Sequence, residues 1–132
     1  MIEDGHHNCN TFWYIKKMSA YHRSGKVIFM KFKTISPEQV GRYAEWNVVV
    51  IVDLRTEEEY KRGHILKAVN IPYECIAEDK ICLCKNRVYL FYCERGNLSL
   101  HTAWHLSEQG YHVMNMYGGI KNYKGELSID ES

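Results

Sequence analysis

No charge of one sign dominates this chain of 132 residues: 17 basic side chains meet 16 acidic ones, for a formal net charge of +1. A balance that close to neutral leaves no footprint for nucleic acid or for an anionic membrane surface. Nor is there an apolar run near the ~18 residues that a bilayer span requires. The opening residues, MIEDGHHNCN, lack the basic-then-apolar order of a secretory signal. The cysteines lack an even count and a regular spacing, being five, unevenly spaced and partly inside apolar stretches. That argues against a disulfide framework and for a reducing compartment, with the cytoplasm as the expected location. Internal repeats and low-complexity linkers are also missing. The length suits one domain with a real core and is short for two.

What is there is organised around Val88 to Gly110, VYLFYCERGNLSLHTAWHLSEQG. It reads as a buried strand from Val88 to Tyr92, a loop opened by Cys93 and punctuated by Gly96, then an amphipathic helix. Gly110 is a natural residue to end that helix. Leu100, Ala103, Trp104 and Ser107 form its expected inward stripe. A cysteine at the carboxyl end of a strand, facing a helix N-terminus, meets unpaired backbone N–H groups and the positive end of the helix dipole. Such a setting favours thiolate over thiol. The stretch therefore proposes a nucleophilic cysteine.

The remaining elements alternate around it. Residues 1–26 form an N-terminal segment whose role is not legible; Phe12, Trp13, Ile15, Met18 and His22 fall loosely at helical spacing and predict a short helix laid on the domain. Residues 27–126 form the domain, and 127–132 a tail. Val27 to Thr34 alternates Phe and Met with Lys as an edge strand does. Ser36-Pro37-Glu38-Gln39 starts a helix running to about Trp46. Val48 to Asp53 is a β-branched run suited to a central parallel strand covered on both faces. Thr56 and Glu59 make a capping box for a short helix stopped by Gly63. A short strand spans Ala68 to Ile71, a turn or helix occupies Glu74 to Arg87, and Val113 to Met116 makes a final strand before a helical turn at Gly118-Gly119-Ile120. This order predicts an α/β fold, an open sheet with helices on both faces. Sites in such sheets lie beyond the carboxyl ends of the strands, which puts Asp53-Leu54-Arg55 and Cys93 on one rim.

Together these motifs resemble the rhodanese domain in its single-domain form. The resemblance covers about Thr34 to Tyr123. It rests on Asp53-Leu54-Arg55, Glu58-Glu59-Tyr60, Gly63-His64-Ile65, Asn70-Ile71-Pro72, the Cys93 loop and Gly118-Gly119-Ile120, in order and at the family's spacing. It implies a rhodanese-like open five-stranded parallel sheet flanked by helices on both faces. It implies a sulfurtransferase in which Cys93 takes sulfane sulfur from a small donor (thiosulfate, polysulfide or a persulfide), becomes a persulfide, and passes the sulfur to cyanide or a thiol. The thiol acceptor would be of the kind found on a thioredoxin-like or sulfur-carrier protein. Catalysis falls to Cys93, and the loop of Glu94, Arg95, Gly96, Asn97, Leu98 and Ser99 binds substrate and stabilises the persulfide by wrapping N–H groups around it. Gly96 fits a tight turn with φ > 0. No metal and no organic cofactor is required.

Cysteine phosphatases share part of this pattern but close their loop with an arginine that grips phosphate bidentately. Here Ser99 stands six positions after Cys93, and the only loop arginine, Arg95, is two positions after it. Glu94 beside Arg95 also makes the loop less positive, which suits a persulfide or polysulfide better than dianionic thiosulfate. Two alternatives stay open: a non-catalytic persulfide carrier or sensor, and a rhodanese-like interaction domain whose cysteine is incidental. Asp53 and Arg55 form a structural ion pair or touch substrate. His64 reads as structural, Cys82 and Cys84 as structural thiols rather than a redox pair, and His6, His7, Cys9, His101 and His105 as solvated rather than metal-bound.

Overall fold

A computed structural model describes residues 32–130. The expected N-terminal helix and the first part of the expected edge strand lie outside those residues. Within them the chain runs β1 (Lys33–Ile35), a 3-10 turn (Pro37–Gln39), α1 (Val40–Ala44), β2 (Val49–Asp53), α2 (Glu57–Arg62), β3 (His64–Ile65), β4 (Val69–Asn70) and α3 (Tyr73–Ala77). It continues through β5 (Val88–Tyr92), α4 (Asn97–Glu108), β6 (His112–Met116), a second 3-10 turn (Ile120–Asn122) and β7 (Leu127–Ser128). Five strands form one parallel sheet in the order β1-β6-β5-β2-β4. The expected α/β architecture is the one observed.

β5 shows why these residues form this sheet. All of Val88–Tyr92 is buried, as a strand covered on both faces must be. Its side chains alternate. Val88, Leu90 and Tyr92 join Val40 and Tyr43 of α1 and Ile51 of β2 in one apolar cluster, against which Tyr60 of α2 packs. Tyr89, Phe91 and the following Cys93 join Ile76 of α3, Ala103 and Leu106 of α4 and Val113 of β6 in the other. Helices thus cover both faces, and the period of two along one strand separates the two halves of the core.

Several boundaries differ from the sequence reading. The helix expected from Ser36 to Trp46 begins as a 3-10 turn, where Gln39 Oε1 accepts from Ser36 N–H at 2.8 Å, and ends at Ala44. The Thr56/Glu59 capping box closes as expected, with Glu59 N–H donating to Thr56 Oγ1 at 3.2 Å and Thr56 N–H to Glu59 Oε1 at 3.1 Å. The segment expected as a tail carries β7, which pairs antiparallel with β3. The inward stripe of α4 is corrected in part: Ala103 and Ser107 are buried as expected, joined by Ser99, Thr102 and Leu106, whereas Leu100 and Trp104 are 41% and 49% exposed. Small side chains at Ser99, Thr102 and Ala103 let the start of this helix lie close on the sheet, and Leu106 fills the core nearer its end. Trp104 retains an edge contact with Phe32, ring centroids 6.5 Å apart.

At the opposite end of the sheet from Cys93, burial and then the Lys85 charge hold the His112 pKa below the usual histidine value. The folded state resists a proton that the unfolded chain accepts below about pH 6.5, so this contribution to stability is complete above that pH and is lost as pH falls toward the folded pKa. His112→Gln should flatten the acid-side slope in urea midpoints measured from about pH 7 to about pH 5. An unchanged slope would contradict this assignment.

Candidate functional site

Cys93 lies directly beyond the carboxyl end of β5, and its side chain is 2% exposed. Its Sγ accepts a hydrogen bond from Gly96 N–H at 3.1 Å and another from Ser99 N–H at 3.3 Å. The Ser99 hydroxyl lies 3.6 Å from Sγ and itself donates to the Gly96 carbonyl at 3.2 Å. Gly96 sits at φ +104°, a left-handed turn that a side chain would strain. That turn brings its N–H back toward the strand end, and α4 starts at the next residue with the positive end of its dipole on the same sulfur. A nest of this kind stabilises negative charge on sulfur.

A second segment fixes the loop from outside. After β6, Gly118 and Gly119 adopt φ +82° and +71°, and the chain then donates from Ile120 N–H to the Cys93 carbonyl at 2.9 Å and from Lys121 N–H to the Glu94 carbonyl at 3.3 Å. A Cβ on Gly119 would overlap the Glu94 carbonyl, and one on Gly96 would come within 2.9 Å of Gly118 N. The two glycine turns interlock backbone to backbone.

Asp53 and Arg55 sit on the same rim, because Asp53 pairs with Tyr92 in the parallel register of β2 and β5. Asp53 is fully buried, and Arg55 grips its carboxylate through Nε to Oδ1 at 3.0 Å and Nη2 to Oδ2 at 2.7 Å. The Tyr92 hydroxyl donates to Oδ2 at 2.7 Å and accepts from Ile65 N–H at 3.1 Å. Burial, then the Asp53 charge and hydrogen bond, push the Tyr92 pKa far above its ordinary value. Burial works against the Arg55 charge, but the hydrogen bonds and charge of Asp53 outweigh it and leave the pKa raised. Arg55 also donates to the Gly63 carbonyl at 2.6 Å, and Asn70 Nδ2 donates to the carbonyls of Asp53 and Arg55 at 3.0 and 2.9 Å. Of the two readings for this pair, the geometry is that of a structural pin joining β2, β4, β5 and the turn after α2. Tyr92 and Asn70 were not among the expected site residues; nothing local in the sequence pairs the Tyr92 hydroxyl with Asp53. Asp53→Ala should cost about 3–5 kcal/mol by leaving Arg55 without its buried partner, measured as a shift in the urea midpoint.

The loop side chains divide. Arg95, Asn97 and Leu98 are exposed, and Ser99 is buried under the loop. Glu94 does not pair with Arg95: its carboxylate approaches Arg55 Nη1 at 3.8 Å and Lys121 Nζ at 3.5 Å. It lines a cleft of about 340 Å3 with Arg55, Glu59, Arg62, Gly63, Ile120, Lys121 and Leu127. His64 has the structural surroundings expected of it: the ring stacks on Tyr60 at 3.7 Å, with Nδ1 2.8 Å from the Tyr60 carbonyl oxygen. His101 and His105 are exposed, and among the described residues no group of three or more His, Cys, Asp or Glu side chains could hold a metal ion. The described cysteines Cys75, Cys82, Cys84 and Cys93 are all free thiols, with Cys82 exposed. No helix among the described residues is long and apolar enough to cross a membrane.

Comparison with known proteins agrees with this geometry. The family model described as the rhodanese-like domain matches residues 36–126. The putative sulfurtransferase YtwF of Bacillus subtilis is 36% identical over 98 residues, 74% of this chain and 95% of that protein. The thiosulfate sulfurtransferase GlpE of Coxiella burnetii is 30% identical over 96 residues, 72% of this chain and 90% of that protein. A rhodanese-like domain protein from Staphylococcus aureus superposes with a TM-score of 0.66 at 30% identity, over 76% of this chain and all of that one. A rhodanese homologue from Thermus thermophilus gives 0.58 at 29% identity, over 67% of this chain and 98% of that one. With parallel sheet, strand-end cysteine loop and relatives in agreement, the chain belongs to the rhodanese-like family, whose relatives here carry sulfurtransferase names.

Proposed function

We propose that this protein is a sulfurtransferase in which Cys93 carries sulfur as a persulfide. The observation that supports this reading most is the convergence of the Gly96 and Ser99 N–H groups on Cys93 Sγ. In the first half-reaction the thiolate attacks the outer sulfur of the donor. With thiosulfate, the S–S bond breaks and sulfite leaves with the electron pair; with a persulfide R–S–S⁻, the thiolate R–S⁻ leaves. The product in either case is Cys93–S–S⁻. In the second half-reaction an acceptor thiolate or cyanide attacks that outer sulfur, forming a new persulfide or thiocyanate and returning Cys93 as thiolate. Neither half-reaction needs a metal or an organic cofactor.

The backbone supplies the electrostatics. Fixed N–H dipoles and the start of α4 face the anion in both the free and loaded forms, without solvent having to reorganise. Asp53, Arg55, Tyr92 and Asn70 hold the strand ends that carry the loop. Thiol chemistry with free cysteines suits a reducing compartment, and we place the protein in the cytoplasm with a thioredoxin-like or sulfur-carrier protein as thiol acceptor. The test is to incubate the protein with thiosulfate, polysulfide or glutathione persulfide, remove the donor, and add cyanide. Thiocyanate should form in proportion to protein; none from any donor would overturn the proposal.

One observation favours a second reading. Cys93 is 2% exposed, so a sulfur stored there is shielded from solvent until a partner docks. A carrier of that kind would hold a long-lived Cys93 persulfide but turn over slowly with small acceptors.

A further inference from the structure

We propose that Glu94 is a specificity-determining residue that turns the site away from dianionic donors and toward persulfides of amino-acid or peptide thiols. This rests on the sulfurtransferase reading of the Cys93 loop. Glu94 follows Cys93 directly, which puts its carboxylate inside the ~10 Å over which charges are felt at ordinary ionic strength. It stands between two cations from distant parts of the chain, 3.8 Å from Arg55 Nη1 and 3.5 Å from Lys121 Nζ.

Its placement is enforced. Arg55 is fixed by Asp53 and the Gly63 carbonyl, so its remaining nitrogen, Nη1, is the one turned to Glu94. Lys121 is held against the loop by its own N–H, which donates to the Glu94 carbonyl at 3.3 Å. The carboxylate thus offsets positive charge at the residue next to Cys93. Without Glu94, the cleft would present Arg62 and Lys121, with Arg55 already paired to Asp53, against the single carboxylate of Glu59. With it, the wall carries a carboxylate between Arg55 and Lys121.

A wall of mixed sign gives a compact dianion such as thiosulfate little net attraction and repels it at Glu94. A zwitterionic persulfide matches the wall better, because its ammonium group can face Glu94 while its carboxylates face Lys121 and Arg62. The chemistry is unchanged: the thiolate takes the outer sulfur and the amino-acid or peptide thiolate leaves. What Glu94 alters is which leaving group arrives.

Two measurements on Glu94→Gln test this, neither depending on the other. The first compares alkylation of Cys93 by anionic iodoacetate and neutral iodoacetamide at low salt. The iodoacetate-to-iodoacetamide rate ratio should rise about three- to tenfold, and Lys121→Met should lower it. The second compares kcat/KM for thiosulfate with that for glutathione persulfide, whose ratio should move toward thiosulfate by a similar factor. If both ratios stay at wild-type values in a protein that transfers sulfur, the role of Glu94 is overturned. If the alkylation ratio changes but neither donor delivers sulfur to Cys93, the sulfurtransferase reading fails and the donor assignment falls with it.

Discussion

Gly119→Ala should abolish sulfur transfer, with a loss of at least about 10²-fold, although residue 119 carries no reactive group. Two costs act together. An alanine at φ +71° is held in a region that L side chains avoid, and its Cβ overlaps the backbone of Glu94 and Arg95. The overlap is the larger problem because it involves backbone on both sides. A flexible side chain could swing away, whereas the Glu94 carbonyl is tied to Lys121 N–H and the Cys93 carbonyl to Ile120 N–H. Relief requires the two turns to separate, which moves the chain carrying Cys93 and displaces the Gly96 and Ser99 amides from the sulfur. Strain and overpacking each cost about 1–3 kcal/mol, so a stability loss of about 2–6 kcal/mol should accompany the lost activity. The urea midpoint and the thiocyanate assay together check this. A variant that keeps both would show that the interlocked turns do not position the loop.

Cys93→Ser should have the opposite profile, eliminating transfer by at least about 10³-fold while leaving the fold intact. The hydroxyl oxygen can accept the same two N–H donors, so little in the loop needs to rearrange. What is lost is chemical: an alkoxide is far less accessible than a thiolate near neutral pH, and no S–S bond can form at oxygen. Unchanged urea unfolding with no thiocyanate from any donor is the expected pair of results. Residual transfer near the wild-type rate would move the chemistry to another of the free thiols, of which Cys82 is exposed.

The two variants separate what the sequence made legible from what it did not. Cys93 could be found because its signals are local: an unbroken apolar strand, a glycine-punctuated loop and a helix within one stretch. β5, the Thr56/Glu59 capping box and the alternation that predicts an open α/β sheet are local or periodic in the same sense, whereas five parallel strands were implied by the family resemblance. Gly119 was readable only as a turn residue, since its contact is with a backbone carbonyl 25 positions earlier in the chain (119 − 94). The partners of Glu94 were hidden likewise: Arg95 is its neighbour in sequence, but Arg55 and Lys121 are its neighbours in space. Tyr92 looked like one more buried aromatic until the register placed its hydroxyl on Asp53. On α4 the apolar pattern pointed rightly to Ala103 but wrongly to Leu100 and Trp104, because close packing on the sheet turns Ser99 and Thr102 inward beside it.

The account depends on the Cys93 thiolate accepting sulfur beside the backbone amides of Gly96 and Ser99. Intact mass of the wild-type protein after brief exposure to polysulfide, followed by peptide mapping, tests that most directly. One added sulfur atom located on Cys93, removed by cyanide and absent from Cys93→Ser, is the predicted result. An unmodified Cys93, or sulfur found equally on Cys75, Cys82 and Cys84, would contradict it.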